Sequence, residues 1–163
     1  LAMSSAASDV YKRQVLESSA DTYDFVLIDC PPALSMLTVN GLIAADGVIV
    51  PVQCEFFALE GIAALMETID QVRAKHNVNL VIDGVLRTMY DPRTSLTRQV
   101  SQQLEKFFGD RVFKTVIPRN VRLAEAPSHG LPVLKYDRLS KGALSYLALA
   151  SELRRRLNIK TAA

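Results

Sequence analysis

Asp29 is the residue of this chain best placed to do chemistry. It ends the run Phe25-Val26-Leu27-Ile28-Asp29, and Cys30-Pro31-Pro32 follows it. An apolar run of this kind reads as a parallel strand covered on both faces. A carboxylate at its carboxyl end lies where open α/β sheets bind ligands. There it can hold a nucleotide-bound Mg²⁺ through water, or orient an attacking water. Pro31 and Pro32 stiffen the loop behind it, which then either moves as a unit with the phosphate end or serves only as a rigid turn. One part of this chemistry is missing: no segment of the form G-x-x-x-x-G-K-[ST] occurs in the chain. An aspartate in this position also caps the next helix in many α/β proteins, and the strand alone does not separate the two readings.

Positive charge is the second feature with chemical meaning. The net charge over 163 residues is only +2. Residues 1–86 hold four Lys/Arg against eleven Asp/Glu (−7), and residues 87–163 hold fifteen against six (+9). A basic half of this size fits a polyanion, with nucleic acid the first candidate, or else balances the acidic half in space. Cys30 and Cys54 have no metal-ligand spacing and read as small core residues of a reducing compartment. His76 and His129 stand apart from any Cys/His cluster, so no metal site beyond Mg²⁺ and no Ser-His-Asp arrangement is indicated.

The elements that must position these residues alternate. A helix ending over 15–22 leads into a strand over Tyr23–Asp29. A short helix over Leu37–Ala45 precedes a strand over Val48–Val52, which Pro51 and Gln53 stop. Leu59, Ile62, Leu65, Met66, Ile69 and Val72 recur at helical spacing over Ala58–Lys75, the signature of a core-facing stripe. Leu80–Met89 is the next strand, bent or bulged near Asp83-Gly84. Ser95–Phe108 is an amphipathic helix ended by Gly109, and Val112–Ile117 is a strand stopped by Pro118. Leu123–Pro132 is irregular with a helical turn, and Ser140 caps a last helix running to Leu157. Strands alternating with helices imply βαβ units and a parallel sheet. No apolar stretch approaches the roughly 20 residues of a membrane helix.

Three segments in order carry a family resemblance. Tyr23-Asp24-Phe25-Val26-Leu27-Ile28-Asp29-Cys30-Pro31-Pro32-Ala33-Leu34-Ser35 resembles the Walker B region of the ParA/Soj partition ATPases, a deviant-Walker branch of the P-loop NTPases. Pro51-Val52-Gln53-Cys54-Glu55-Phe56-Phe57-Ala58-Leu59-Glu60-Gly61 is similar to the segment after their next strand. Thr115-Val116-Ile117-Pro118-Arg119-Asn120-Val121-Arg122-Leu123-Ala124-Glu125-Ala126-Pro127-Ser128-His129-Gly130 resembles their late loop. The resemblance runs from about Val15 to Leu157 and is closest to the chromosomal Soj type.

That resemblance implies an α/β fold, a mostly parallel sheet with helices on both faces, P-loop NTPase-like and of SIMIBI type, with its N-terminal part missing. It implies ATP and Mg²⁺ as cofactors, with Asp29 as the catalytic and metal-holding acid and Pro31-Pro32 in the switch loop. Pro118, Arg119 and Asn120 would flank the adenine, with Met89 as the opposite wall. Arg93 and Arg122, with Lys141, would contact DNA phosphates without sequence preference, and Arg119, Arg138 and Arg154–Arg156 would add positive charge. An ATP-bound homodimer, non-specific DNA of the nucleoid and a ParB/Spo0J-type centromere-binding protein would be the partners, in the cytoplasm. Glu55 and Glu60 flank Phe56-Phe57, a loop for a dimer or partner face, or one that packs on a neighbouring helix.

Asp9-Val10-Tyr11-Lys12-Arg13-Gln14 matches the translation of a transposon-end adapter used in sequencing libraries. Residues 1–14 are therefore expected to be a non-native scar, and 15–163 the C-terminal portion of one ParA-type ATPase domain whose phosphate loop lies upstream. Two other functions compete. One is a membrane-associated positioning ATPase like MinD, disfavoured because Leu153–Ala163 has little apolar face after its arginines. The other is a non-catalytic DNA- or partner-binding remnant, the expectation for these 163 residues alone.

Overall fold

The computed structural model of the chain describes residues 23–31 and 35–158. Its elements are α1 (Met36–Ala44), β1 (Gly47–Gln53), α2 (Ala58–Lys75), β2 (Val81–Thr88), α3 (Ser95–Phe108), α4 (Val121–Glu125), α5 (Val133–Tyr136) and α6 (Lys141–Arg156). Short 3₁₀ turns occupy Gly109–Arg111 and Ala126–His129. The described residues divide into two compact units, those within 23–48 with 61–81 and those within 49–60 with 82–158.

In the first unit the apolar stripe of α2 buries Ile62, Ile69 and Val72 as its spacing requires. On α1, Thr38, Leu42 and Ile43 are buried. A helix end leaves carbonyls without intrahelical partners. Here buried Asn77 supplies them, its Nδ2 donating to the carbonyls of Leu42 (3.1 Å), Ile43 (3.1 Å) and Ala45 (2.7 Å). Arg73 Nε donates to the Leu80 carbonyl at 2.7 Å, tying the end of α2 to the approach to β2.

Residues 23–31 carry no regular secondary structure, and Tyr23, Phe25, Val26, Leu27 and Ile28 are exposed, Leu27 by 83 %. The expected buried strand over Tyr23–Asp29 is not found. A strand persists through ladder bonds to a neighbour and cover on its faces, and among the described residues no strand pairs with this segment. The helix expected over 15–22 and the adapter-like residues 1–14 lie outside the described residues.

In the second unit β1 pairs with β2 in a parallel α/β arrangement. Pro51 does not stop β1, which continues to Gln53. Proline is tolerated in a strand where its missing N–H faces no ladder partner, and Pro51 is exposed. β2 runs as one strand from Val81 to Thr88, through Asp83-Gly84. Gly84 serves close packing: a Cβ there would lie 2.4 Å from Phe113 Cε2. Residues 112–118 approach a third strand only in part. Parallel bridges join Val85 to Val112 and Tyr90 to Pro118, and Val85 and Arg87 carbonyls accept from Phe113 N (2.9 Å) and Ile117 N (2.9 Å). Leu86, Phe113 and Ile117 form the core, with Ile49, Leu123, Leu149 and Leu153 packed on it.

Two buried charges organise this core. Arg87 on β2 donates through Nη1 to Ser101 Oγ (2.8 Å) and to the Glu105 carboxylate, and through Nη2 to the Phe113 carbonyl (2.8 Å). Glu152 on α6 accepts from the backbone N–H groups of Lys114 and Thr115, both at 2.8 Å, and from Arg156 Nη2 at 2.9 Å. Arg156 also donates to the Val112 carbonyl (2.7 Å), and its guanidinium lies 4.3 Å from the Phe113 ring centroid. Arg156 is thus spent inward, and the expectation that it adds to a basic surface is corrected. Cys54 is buried, which pushes its thiol up against the opposing pull of Arg87, and Cys30 is half-buried.

Candidate functional site

Met89 follows β2 with φ of 50°, a left-handed conformation uncommon for a residue with a Cβ. The turn it makes sends Tyr90 into register with the other segment. Tyr90 N donates to the Ile117 carbonyl (3.0 Å), and Arg119 N to the Tyr90 carbonyl (3.2 Å). These bonds bring Met89 and Pro118, Arg119 and Asn120 to one edge of the sheet. Met89 is 42 % exposed there and Arg119 is exposed, whereas Pro118 and Asn120 are half-buried.

Asn120 has a defined local duty. Its Oδ1 accepts from the N–H groups of Arg122 (3.0 Å) and Leu123 (3.3 Å), capping α4. The side-chain amide therefore keeps its Nδ2 donors for another partner. α4 in turn holds Arg122, and a Cβ on Gly142 would lie 2.5 Å from Leu123 Cγ. Only a glycine lets the start of α6 approach α4 this closely, which sets Lys141 beside the Arg122-bearing turn. Ser140 caps α6, its Oγ accepting from Ala143 N at 3.2 Å.

Arg93 lies in the turn after Tyr90 with its side chain 86 % exposed. Asp91 Oδ1 accepts from Arg93 N (3.1 Å) and Nε (2.9 Å), and Oδ2 from Nη2 (2.7 Å). The Arg93 side chain, then its backbone N–H, hold the Asp91 carboxyl down at about 2. Arg122 Nη1 donates to Glu125 Oε2 (2.9 Å), and its Nε lies 3.4 Å from Asp137 Oδ2. Tyr136 donates its hydroxyl to the same Glu125 oxygen at 3.2 Å. Glu125 is lowered by Arg122 first and by Tyr136 also. The ring of Tyr136 stacks on His129 with centroids 4.9 Å apart.

Asp29 belongs to the first unit and is exposed. Cys30 and Pro31 behind it are tied to α1, since Thr38 Oγ1 donates to the Pro31 carbonyl (3.4 Å) and Gly41 packs under Cys30, where a Cβ would lie 2.8 Å from Sγ. Pro32 lies outside the described residues. A single exposed carboxylate suits Mg²⁺, which keeps several waters and takes one or two protein carboxylates beside substrate phosphates. Among the described residues no three His, Cys, Asp or Glu side chains cluster as a metal cage. Phe56 and Phe57 are both exposed and meet edge to face, centroids 5.1 Å apart. Sequence reasoning missed Asp91, Glu125 and Asp137 as partners of the arginines. The spacing Asp91-x-Arg93 and the i,i+3 pair Arg122/Glu125 were the available signals.

A family model described as an AAA domain matches residues 2–82. The chain is 52 % identical over 145 residues to the chromosome-partitioning ATPase Soj of Treponema pallidum, which covers 89 % of this chain and 57 % of that protein. It is 57 % identical over 131 residues to the chromosome partitioning protein ParA of Caulobacter vibrioides, covering 80 % of this chain and 49 % of that protein. The cobyrinic acid a,c-diamide synthase of Mycobacterium smegmatis, solved with bound ATP analogue and magnesium, has the same fold. It matches with a TM-score of 0.73 at 34 % identity over 93 % of this chain and 55 % of that one. Fold and likeness together define an α/β protein of the P-loop NTPase class. Within that class the chain is similar over most of its length to the Soj/ParA chromosome-partitioning ATPases. It spans about half the length of the curated relatives it matches.

Proposed function

We propose that this chain is the C-terminal part of a Soj/ParA-type ATPase that partitions chromosome or plasmid DNA. The observation that carries the reading is the pairing of Tyr90 with Pro118. It gathers Met89 and Pro118–Asn120 on one sheet edge while Arg93 and Arg122 leave that edge on adjoining turns. Met89 and Pro118 would wall the adenine, and the Asn120 amide and the Arg119 backbone would read its edge. Asp29 would hold Mg²⁺ through water, and ATP with its metal would supply the γ-phosphate whose loss moves the Pro31-Pro32 loop. The phosphate-binding lysine and glycines would be contributed by sequence upstream of residue 15. These 163 residues alone would therefore not hydrolyse ATP. ATP would drive dimerisation, the dimer would bind nucleoid DNA without sequence preference, and a ParB-type partner would trigger hydrolysis.

The test is DNA binding by the full-length protein with ATP, measured on unrelated duplexes over a salt series. Arg93→Ala and Arg122→Ala are expected to weaken binding alike on all sequences and to flatten the log–log salt slope by about 0.9 for each lost contact. Unchanged binding in both variants would remove the DNA role of this edge.

A further inference from the structure

Both arginines proposed to meet DNA phosphates already hold carboxylates. Asp91 occupies the Nε/Nη2 edge of Arg93 with two parallel bonds, at 2.9 and 2.7 Å. That edge is one of the two on which a guanidinium can take a phosphate bidentately. Arg122 faces two carboxylates, Glu125 at 2.9 Å and Asp137 at 3.4 Å, with Tyr136 fixing Glu125 from the other side. Arg93 and Asp91 cancel as a pair, with the Arg119 charge also felt at Asp91, and Arg122 sets one positive charge against two negative ones. Lys141 by contrast forms no ion pair among the described residues.

We infer that Asp91, Glu125 and Asp137 are built-in competitors for DNA phosphate, which keep the grip of Arg93 and Arg122 weak and readily exchanged. The inference rests on the reading of those arginines as phosphate contacts. A phosphate reaching Arg93 must displace Asp91 from the Nε/Nη2 edge or bind end-on through Nη1 and the second Nη2 proton, with the Asp91 charge close behind. At Arg122 it must enter beside two like charges. Exposed ion pairs of this kind are held by little energy and exchange with solvent ions, so the arginines stay available without being idle. The opposite role, in which the carboxylates aim the guanidinium at DNA, would use the open Nη1/Nη2 edge of Arg93 and would make binding weaker once Asp91 or Glu125 is neutralised.

The experiment is fluorescence anisotropy with a random-sequence duplex and the full-length protein in ATP. Asp91→Asn and Glu125→Gln are each read alone and in the Arg93→Ala or Arg122→Ala background, respectively. Both single variants are expected to tighten DNA severalfold at moderate salt, with the gain shrinking as salt screens the charges. The gain is expected to vanish once the partner arginine is gone. Weaker or unchanged binding in Asp91→Asn and Glu125→Gln, with Arg93→Ala and Arg122→Ala still weakening it, would overturn the inference alone. Unchanged binding in the two alanine variants would overturn the phosphate-contact reading and the inference with it.

Discussion

Glu152→Gln tests one of the two buried charges that organise the core around Phe113. Glu152 is 6 % exposed on α6, and its two oxygens take the N–H groups of Lys114 and Thr115 and the Arg156 guanidinium. Burial by itself would raise its carboxyl. The Thr115 and Lys114 amides, with Arg156, overcome that and lower it from 4.5 to about 2. At about 1.4 kcal/mol for each tenfold change, this fall is worth about 3 kcal/mol to the folded state. The folded value lies below the unfolded one. The contribution is therefore complete above the unfolded value of 4.5 and disappears as pH falls toward about 2. Glutamine keeps the shape but removes the charge, and it turns one acceptor into a donor facing a backbone N–H. Urea denaturation of the full-length protein at neutral pH should show a loss of about 3 kcal/mol, and a series in acid should bring the two proteins together. A wild-type midpoint for Glu152→Gln at neutral pH, or parallel curves in acid, would refute the argument.

Two further outcomes follow from geometry and from the proposed role of the acid. Gly84→Ala puts a Cβ 2.4 Å from Phe113 Cε2 and 2.9 Å from the Arg111 carbonyl, and overpacking of this kind costs about 1–3 kcal/mol. A lowered thermal midpoint is expected, and an unchanged one would mean that Phe113 has room to move. Asp29→Ala in the full-length protein should abolish ATP turnover measured as phosphate release, and retained turnover would end its role as the metal-holding acid.

Much of the fold was legible because helices write their burial into a local period. The stripe from Leu59 to Val72 placed α2 at its observed bounds, Ser95–Phe108 was read correctly for the same reason, and the Ser140 cap followed from the capping chemistry of its hydroxyl. Strands were less legible. Pro51 and Gly84 look like breakers in isolation, yet one sits where no ladder N–H is needed and the other makes room for Phe113. The run Phe25–Asp29 has the composition of a buried strand, but composition cannot supply the neighbouring strand that would pair with it.

Sequence alone determined the α/β alternation, the charge division and the order of the three family segments, since each is a property of residues in line. It also named Met89, Pro118 and Asn120 as candidates for one site. Only tertiary structure decided that the Tyr90–Pro118 pairing brings Met89 and Pro118 to one edge, and that Asn120 spends its oxygen on a helix cap. It decided too which charges face inward. Arg156 and Glu152 neutralise each other over the 112–115 backbone, and Asp91, Glu125 and Asp137 meet arginines that a count of charges had left free. The reason is physical: a charge belongs to a residue, but its effect belongs to whatever the fold sets within a few ångströms of it.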